Sequence, residues 1–459
     1  MIKLDKNKIR RFRRFLDDFC YDITYQFLSG ESNYFFNPWQ TFETLKYGLS
    51  TLENKTRSDV YKLLLLGENI SEEESDICLG VKIKDDLLDI GVLKREEDGT
   101  IQTDGYSLLS ICDRYLFVGL PYYYPTCINK DPDVYIGPDT YKLSRIIPSK
   151  SVESMVDLCS GSGIQAILGA NFSRKSVGVE INPLAVPVTR LNVMLNDLEE
   201  KIEIKEGNLY EPLKGMTFDL ITSNPPFIPV PDNLEFSLAG DGGNDGLNIV
   251  KEIIKGYKLH LNVNGYGVMI GEAIGNEQGP FLTRLLEEEL GKCFDTKLFL
   301  SGRIHIESQI KTVSSLNTLL RKNPKVMSPE IENIWRENYR KLNATYYYTF
   351  SLKTKKLDSE SGGLEVINLF NKWTINHTPK MTYPLRYELQ KEKWNVFIGE
   401  ELAVLIDEEA KRFLQLCDGE KTIEEIKKIV EKNTNENLNP DQILATCNIL
   451  ESKGILQAL

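Results

Sequence analysis

The stretch at residues 156–164 constrains the fold of this chain more than any other part of the sequence. It reads Val156-Asp157-Leu158-Cys159-Ser160-Gly161-Ser162-Gly163-Ile164. An apolar run ending at Leu158 predicts a strand, and the small apolar residues 164–170 predict a helix. Gly161 and Gly163 lack a Cβ, so the backbone between strand and helix can approach a ligand closely. This order predicts an α/β fold that binds its ligand at the carboxyl ends of a parallel sheet.

Two acidic residues indicate which ligand this turn accepts. Glu180 ends a second predicted strand, residues 176–180, and an acid about 20 residues after the glycine turn can bind both hydroxyls of a ribose. Asp157 stands at the start of the turn, where a nicotinamide site would place glycines against a pyrophosphate. An acid there suits a cationic ligand, such as the amino group and sulfonium of S-adenosylmethionine. The sequence therefore favours an adenosine-containing, positively charged cofactor.

The motif Asn224-Pro225-Pro226-Phe227 follows another predicted strand, residues 218–221. Its prolines fix φ and remove N–H donors, so the segment is stiff and its carbonyls are free. The Asn224 side-chain oxygen and the Pro225 carbonyl can both accept from a planar NH2 group, on which Phe227 can stack. Orienting a poor nitrogen nucleophile in this way can lower a barrier by about 7–11 kcal/mol. A simple turn after a strand is the alternative, but the position of the motif favours the functional interpretation.

Together these motifs resemble the class I S-adenosylmethionine-dependent methyltransferases, and among them the glutamine N5-methyltransferases of release factors and ribosomal protein. The resemblance covers roughly residues 130–355 and includes residues 135–140 and 239–247. It implies a Rossmann-like, seven-stranded methyltransferase domain at residues 131–356, with the last strand antiparallel and S-adenosylmethionine as cofactor. Small helical and winged-helix-like α+β domains are expected on either side.

The resemblance also implies the site residues. Those expected to act on the substrate are Asn224, Pro225 and Phe227. Those expected to bind the cofactor are Asp139, Thr140, Asp157, Ser160, Gly161, Gly163, Glu180, Ile181, Asn208, Leu209 and Asn224. Asn208 departs from the family, which usually has an acid there to accept from the adenine amine. Its amide oxygen can still accept, but it carries no charge.

Charge and cysteine usage exclude several classes of protein. The 459-residue chain carries a net charge of −12, which disfavours duplex DNA as a partner. The sequence has no apolar run of about 18 residues and no secretory signal at its start, so neither a membrane nor secretion is expected. Eight scattered cysteines and three distant histidines disfavour structural zinc and a disulfide framework. We expect a cytoplasmic protein with small, buried cysteines.

Residues 1–130 predict a helical N-terminal domain. A basic helical stretch at residues 6–29 predicts a solvated basic face rather than a contact for RNA or an acidic protein. Three short helices at 58–66, 70–79 and 84–90 precede a hairpin with an Asp-Gly turn at residues 98–99. This is a winged-helix pattern. Its second helix is acidic and would repel phosphate, so we expect a packing or substrate-shaping role, with the acids on a solvated face.

Two segments within residues 131–356 have no regular pattern of the resembled fold. The loop at 228–246 is rich in Pro, Gly and Asp and directly follows Phe227. Loops of this length are usually functional, so it is expected to form part of the substrate pocket or a lid. A polar helical segment at 303–344 is inserted between the last two predicted strands, and the sequence assigns it no role.

A linker at residues 358–363 predicts a separate C-terminal domain, 364–459. It contains a predicted strand at 402–406 and helices at 407–417 and 439–453, with a capping box from Thr422 to Glu425 between them. The pieces 413–419, 422–426 and 450–456 resemble the peptide-chaperone domain of pyrroloquinoline quinone biosynthesis. That resemblance implies recruitment of a peptide or protein substrate by strand addition. A packing or dimerisation domain is the alternative.

The leading hypothesis is an N-methyltransferase that acts on a planar nitrogen of a peptide or protein. An N6-adenine-type nucleic-acid methyltransferase would also suit the Asn-Pro-Pro-Phe motif, but requires a basic face. A small-molecule N-methyltransferase would leave both end domains structural. A peptide-binding protein with a vestigial cofactor fold conflicts with the intact turn and motif. The sequence indicates no general base, no substrate and no oligomeric state.

Overall fold

A computed structural model of the chain describes residues 2–29, 42–127, 131, 133–148, 150–320, 328–369, 375–381, 385–390, 393–398, 401–406, 408–434, 438–452 and 455–458. The helices are α1 Lys6–Phe19, α2 Tyr21–Ser29, α3 Phe42–Ser50, α4 Lys55–Leu64, α5 Glu72–Leu79, α6 Val81–Ile90, α7 Pro138–Ile146, α8 Ile164–Gly169, α9 Ala185–Leu195, α10 Asn248–His260, α11 Leu282–Leu290, α12 Ile306–Leu319, α13 Ser328–Lys341, α14 Glu408–Gln415, α15 Ile423–Thr434 and α16 Pro440–Ser452. The strands are β1 Leu93–Arg95, β2 Ile101–Thr103, β3 Tyr106–Ile111, β4 Arg114–Gly119, β5 Val152–Leu158, β6 Ser173–Glu180, β7 Ile202–Glu206, β8 Phe218–Ser223, β9 Leu261–Asn276, β10 Gly279–Pro280, β11 Phe294–His305, β12 Tyr346–Lys356, β13 Gly363–Asn368, β14 Pro379–Met381, β15 Arg386–Gln390, β16 Lys393–Ile398, β17 Glu401–Ile406 and β18 Leu456–Ala458.

Among the strands that the structure describes, nine form one mixed sheet. Its order is β13-β11-β12-β9-β8-β5-β6-β7, with the short β10 beside β9. The pairs β5–β6, β6–β7, β5–β8 and β8–β9 are parallel, whereas β12 runs antiparallel between β9 and β11. All seven strands that the sequence predicted are present, in a Rossmann-like arrangement with the antiparallel strand expected. The carboxyl ends of β5, β6 and β8 meet at one edge of the sheet, which brings together motifs distant in sequence.

The sheet has one strand more at its edge than the sequence predicted. Strand β13 pairs in parallel with β11, from Asp295 beside Gly363 to Leu300 beside Asn368. The predicted linker therefore ends in this strand, and the predicted domain start at residue 364 lies inside the main sheet. A strand at the edge of a sheet has unpaired backbone groups, and residues 363–368 pair with those of β11. The Gly-Ser composition before them marks a turn and not the end of the sheet.

The two faces of the sheet are covered by different helices. On β9, side chains alternate between the faces because successive residues of a strand point to opposite sides. Val268 and Ile270 pack with Leu143 of α7, whereas Met269 and Ala273 pack in the cluster that contains α10 and α11. The even-numbered side chains of β9 therefore lie on the α7 side of the sheet.

Two asparagines at α9 join the N-terminal region to the Rossmann-like domain. The Asn192 side chain accepts from the Phe117 backbone N–H at 2.7 Å and donates to its carbonyl at 2.8 Å. Asn196 makes the same pair of bonds to Tyr115, at 3.0 and 2.7 Å. Residues four apart on a helix and two apart on a strand have similar spacing. The helix side chains thus pair with β4 as a neighbouring strand would.

The basic first helix does not present a simple solvated face. Its apolar side is buried in the core, as the sequence predicted, but several of its cations form ion pairs within the chain. Lys6 and Arg10 contact Glu199 and Asp197 after α9, and Arg11 contacts the buried Asp86. These side chains stay partly exposed, as the sequence predicted, but no local pattern indicated their partners, the nearest of which is 75 residues away.

The acidic helix α5 likewise combines partly exposed acids with ion pairs to neighbouring elements. The three helices α4, α5 and α6 and the β1–β2 hairpin are all present, while the winged-helix comparison itself stays a prediction. Glu72 contacts Lys84 and Arg95, and Glu74 contacts Lys55 and completes a capping box with Ser71. Lys84 is buried and contacts Glu72 and Asp76. These acids therefore join neighbouring elements while their own side chains stay partly exposed, as the sequence predicted.

The insertion at 303–344 packs on the loop that follows Phe227. The buried side chains Val230, Leu234 and Phe236 of the loop form one cluster with Trp335 and Tyr339 of α13. Backbone contacts also join the two segments, since Asn317 and Asn338 donate to carbonyls of the loop, those of Glu235 and Asn244. The segment to which the sequence assigned no role therefore supports the loop predicted to shape the substrate pocket.

The described C-terminal residues have a hydrophobic cluster of their own, with side chains from α14, α15 and α16. Thr422 and Glu425 form the predicted capping box, with bonds of 2.8 and 3.3 Å. Strands β15, β16 and β17 form a small antiparallel sheet. The predicted pieces at residues 453–454 and 407 lie outside the described residues.

The cysteines are partly as predicted. All eight are free thiols; Cys78, Cys127, Cys417 and Cys447 are buried, whereas Cys20, Cys112 and Cys293 are exposed. The prediction of small buried groups was wrong for the exposed three. Within the described ranges, no three acidic, histidine or cysteine side chains are grouped as metal ligands would be. No helix of these ranges is both long and apolar enough to span a bilayer.

Candidate active site

The glycine turn between β5 and α8 has the backbone geometry of a ligand cradle. Gly161 and Gly163 have φ of +51° and +79°, a region that L side chains rarely adopt. A Cβ on Gly163 would lie 2.8 Å from Cγ2 of Thr189. Cys159 also has a positive φ, +58°, in a half-buried position where desolvation raises the pKa of its thiol. Its role as a small residue in the turn is consistent with that burial and not with a nucleophile.

Glu180 lies at the end of β6 and holds the turn from the opposite side. Its two carboxylate oxygens accept from the backbone N–H groups of Gly161, at 2.7 Å, and Asn182, at 2.8 Å. A carboxylate has about four acceptor positions, so two remain for a ligand. Glu180 therefore fixes the turn and can still bind a diol.

Asp157 is buried at the carboxyl end of β5. Ser160 and Thr222 donate their hydroxyls to its two oxygens, both at 2.9 Å. Burial, assisted by the nearby Glu180, raises the pKa of Asp157 to about 7, against the lowering effect of these hydroxyls. A cation placed beside this carboxyl would stabilise its ionised form.

Asn224 is oriented by Asp139 of α7. Its Nδ2 atom donates to the Asp139 carboxylate at 2.5 Å, and the hydroxyl of Tyr135 donates to the other carboxylate oxygen at 3.2 Å. A carboxylate only accepts, so the amide NH2 must face Asp139 and the carbonyl must face away. Among the described residues, the buried Oδ1 atom of Asn224 has no hydrogen-bond partner. A buried acceptor of this kind is costly unless a donor pairs with it.

Phe227 and the following loop fit closely against each other. Its Cδ1 atom lies 3.3 Å from the position of a Cβ on Gly271 of β9, so this glycine leaves room for the ring. A Cβ on Gly242 would lie 2.8 Å from the Phe227 Cα, and one on Gly246 would clash with the Phe227 carbonyl. The glycines of the loop are therefore required by the motif that they cover.

The remaining predicted residues lie around the same edge of the sheet. Thr140 is a capping residue, since its hydroxyl accepts from the Gly137 N–H at 3.3 Å. Asn208 is exposed, and its Nδ2 faces Glu211 at 3.4 Å, which leaves its amide oxygen on the other side. Ile181 exposes apolar surface directly after Glu180, and Leu209 is partly buried against the hydrophobic cluster that also contacts Cys159. These roles toward a cofactor stay predictions.

Several residues that support the site were not predicted. Thr189 donates to the Gly161 carbonyl at 2.6 Å, and Asn192 donates to the Ser162 carbonyl at 3.0 Å. Both lie on α9, and their hydrogen bonds to these carbonyls fix the backbone of the glycine turn. Helical periodicity would have placed them on the buried face of α9, but it carried no information about which carbonyl they meet.

Comparisons with known proteins agree with this geometry. Residues 138–293 match the family model of the methyltransferase small domain. The chain has the Rossmann-like fold of a class I methyltransferase. The ribosomal protein uL3 glutamine methyltransferase of Bradyrhizobium diazoefficiens is 35% identical over 164 residues, which are 32% of this chain and 51% of that protein.

Two further proteins are similar to parts of this chain. The release factor glutamine methyltransferase of Aquifex aeolicus is 35% identical over 128 residues, 26% of this chain and 43% of that protein. A solved methyltransferase of Pyrococcus furiosus is 14% identical with a TM-score of 0.30, and covers 47% of this chain and 81% of that one. The chain thus spans about half the length of the curated relatives it matches.

Proposed function

We propose that this chain is an S-adenosylmethionine-dependent N-methyltransferase whose substrate is the side-chain amide of a glutamine in a peptide or protein. The observation that carries the proposal is the buried, unpartnered Oδ1 atom of Asn224 beside Phe227. A primary amide has a planar NH2 group that can donate to this oxygen. The similarity to glutamine methyltransferases supports the same substrate class.

The residues at the edge of the sheet fit the cofactor. The turn at Gly161 and Gly163 lets the backbone approach a ligand, Glu180 has acceptor capacity for a ribose, and Asp157 suits a cation. Ile181 and Leu209 offer apolar surface for a base, and Asn208 an amide oxygen. When bound, S-adenosylmethionine would supply an electrophilic methyl group attached to a cationic sulfonium.

The chain itself would contribute orientation. Asp139 fixes the Asn224 amide, Asn224 accepts one N–H of the substrate, and the carbonyl of Pro225 accepts the other. Phe227 stacks on the amide plane, so the nitrogen lone pair is directed at the methyl group. Holding reactants in such an alignment accounts for up to about 7–11 kcal/mol of barrier lowering.

The end regions would recruit and position the substrate. We propose that the C-terminal domain binds a segment of the peptide or protein by strand addition, in the cytoplasm. Because β13 belongs to the main sheet, truncation after Leu369 is a cleaner test than removal of residues 364–459. The truncated chain should show a raised KM with a smaller change in kcat, whereas unchanged kinetics would remove the recruitment proposal.

The proposed function is tested by labelled methyl transfer from S-adenosylmethionine into a cell lysate. Fractions are treated with protease or nuclease before counting, and Asn224→Ala is the control. Label that is lost on protease treatment supports a protein substrate. Label lost on nuclease treatment would indicate that nucleic-acid bases are methylated instead. Label confined to small molecules would contradict recruitment by the end domains.

A further inference from the structure

Glu272 lies on the α7 side of the sheet and has no role in the proposed transfer of the methyl group. Strand β9 runs beside β8 with Met269 level with Ser223, so Ile270 is level with Asn224. Glu272 is two residues further toward the carboxyl end, roughly 6–7 Å along the neighbouring strand. Its side chain has the same orientation as Ile270 and therefore lies on the face covered by α7, which carries the Asp139 that orients Asn224.

The charges around Glu272 are unbalanced. Lys142 and Asp139 of α7 act on it with opposite signs, so two acids share one ammonium. The Lys142 amine donates to Ser301 at 2.9 Å, and burial lowers its pKa. Burial raises the pKa of Glu272 to about 7, and repulsion from the Asp139 carboxylate contributes to this increase. An excess of negative charge in a partly buried site is costly unless a cation balances it.

Hydroxyl groups without partners face the same carboxyl. Tyr339 of α13 and Tyr347 of β12 are fully buried, and neither hydroxyl has a hydrogen-bond partner among the residues that the structure describes. The charge of Glu272 acts on both of them. Thr349, directly across from Glu272 on β12, donates to one of its oxygens at 3.3 Å. Gln309 of α12 also lies near the Tyr347 hydroxyl.

We propose that Glu272, Tyr339 and Tyr347 form a subsite for a positively charged group of the substrate, a lysine or arginine side chain next to the methylated glutamine. The proposal rests on the proposed function and adds a specificity determinant to it. The carboxylate balances the incoming charge, and the two hydroxyl oxygens accept from its N–H groups. Tyr339 belongs to the insertion, so the insertion supplies specificity to a sheet shared with other methyltransferases.

The test uses the full chain, labelled S-adenosylmethionine and a pooled peptide library of the form Ac-Gly-Xaa-Gln-Xaa-Gly-NH2, where Xaa is any residue. Peptides with Lys or Arg at one varied position should be labelled at least tenfold more than their norleucine counterparts. Glu272→Gln should abolish that preference and Tyr339→Phe should weaken it. The matched control is Glu307→Gln, a carboxylate of α12 that contacts Arg336 instead; it should keep the preference.

A second readout is binding of the preferred lysine peptide to the chain saturated with S-adenosylhomocysteine, measured by calorimetry. The peptide cation stays charged, whereas Glu272 is mostly protonated at pH 6 and mostly ionised at pH 8. Binding should therefore tighten by up to about tenfold between these values. The change should vanish in Glu272→Gln, because no carboxyl titrates at that position.

A library without cation preference, or the same preference in Glu272→Gln, would overturn the subsite. Absence of label in every peptide would overturn it too, because it requires recognition close to the glutamine. Titration with S-adenosylmethionine in the same samples distinguishes failure of the subsite from failure of the proposed function. Cofactor binding with labelled lysate protein would leave the proposed function standing, whereas absence of cofactor binding would remove both.

Discussion

The Asn224 amide donates to the Asp139 carboxylate across 85 positions of sequence, at 2.5 Å. Asp139 stands in the first turn of α7, before the first strand of the methyltransferase sheet. Its carboxylate determines which end of the Asn224 side chain faces the site. A helix that contributes nothing to the glycine turn therefore sets the orientation of the amide that would hold the substrate.

Replacement of Asp139 tests this orientation. Asp139→Ala removes the acceptor, so the Asn224 side chain can rotate and kcat should fall by about 10–100-fold, the value of a hydrogen bond to a charged group. Asp139→Asn is the matched variant, because its amide oxygen can still accept, and it should retain more activity. Steady-state kinetics on the labelled protein substrate measure both. Equal losses in the two variants would mean that the charge, and not the orientation, is what matters.

Asn224→Ala removes the acceptor itself. Methyl transfer should become undetectable, while the Kd for S-adenosylmethionine, measured by calorimetry, should stay within about threefold, since the turn and Glu180 are untouched. Loss of transfer and of cofactor affinity to the same degree would contradict the role in orienting the substrate.

Glu180→Ala should weaken cofactor binding by about 10–100-fold, because it removes a charged acceptor for the ribose and also the carboxylate that holds the Gly161 N–H. Glu206, its exposed neighbour in register on β7, provides the control. Glu206→Ala should leave the Kd unchanged. If calorimetry gives one Kd for wild type and Glu180→Ala, the ribose assignment is wrong.

Gly163→Ala tests how tightly the turn is packed. An alanine at φ +79° costs roughly 1–2 kcal/mol in backbone strain, and its Cβ would also lie 2.8 Å from Thr189. Gly215 has nearly the same φ, +77°, with open space around it. Gly163→Ala should therefore lower the free energy of unfolding by about 1–3 kcal/mol more than Gly215→Ala, measured by denaturant titration. Equal effects would show that the Thr189 side chain moves away from the new Cβ without a cost in stability.

The raised pKa of Asp157 predicts pH-dependent cofactor binding. A folded pKa near 7 lies above the unfolded value, so the carboxyl favours the folded state below about pH 4, and this contribution is lost as the pH rises to 7. A bound cation favours the ionised form, so cofactor affinity should rise by up to about tenfold from pH 6 to pH 8. Asp157→Asn should bind more weakly and without this pH dependence. A pH-independent Kd in the wild type would contradict the assignment.

Much of the fold could be predicted because its signals are local. Apolar runs such as the one ending at Leu158, positive-φ glycines such as Gly163, and the stiff prolines after Asn224 act through neighbouring residues. For that reason the seven strands of the Rossmann-like sheet and the glycine turn were identified correctly. The strand at 363–368 was missed because its stability comes from the open edge of β11, which no local pattern encodes.

The sequence by itself determined the fold class, the glycine turn and the chemistry available at Asp157, Glu180 and Asn224. Only the tertiary structure decided that the NH2 group of Asn224 faces Asp139, which leaves its Oδ1 acceptor without a partner among the described residues. It also decided that the insertion packs on the loop after Phe227. The same holds for the two acids, Glu272 and Asp139, that lie near the single ammonium of Lys142. Backbone preferences act over a few residues, whereas burial, pairing and pKa depend on neighbours that are distant in the chain.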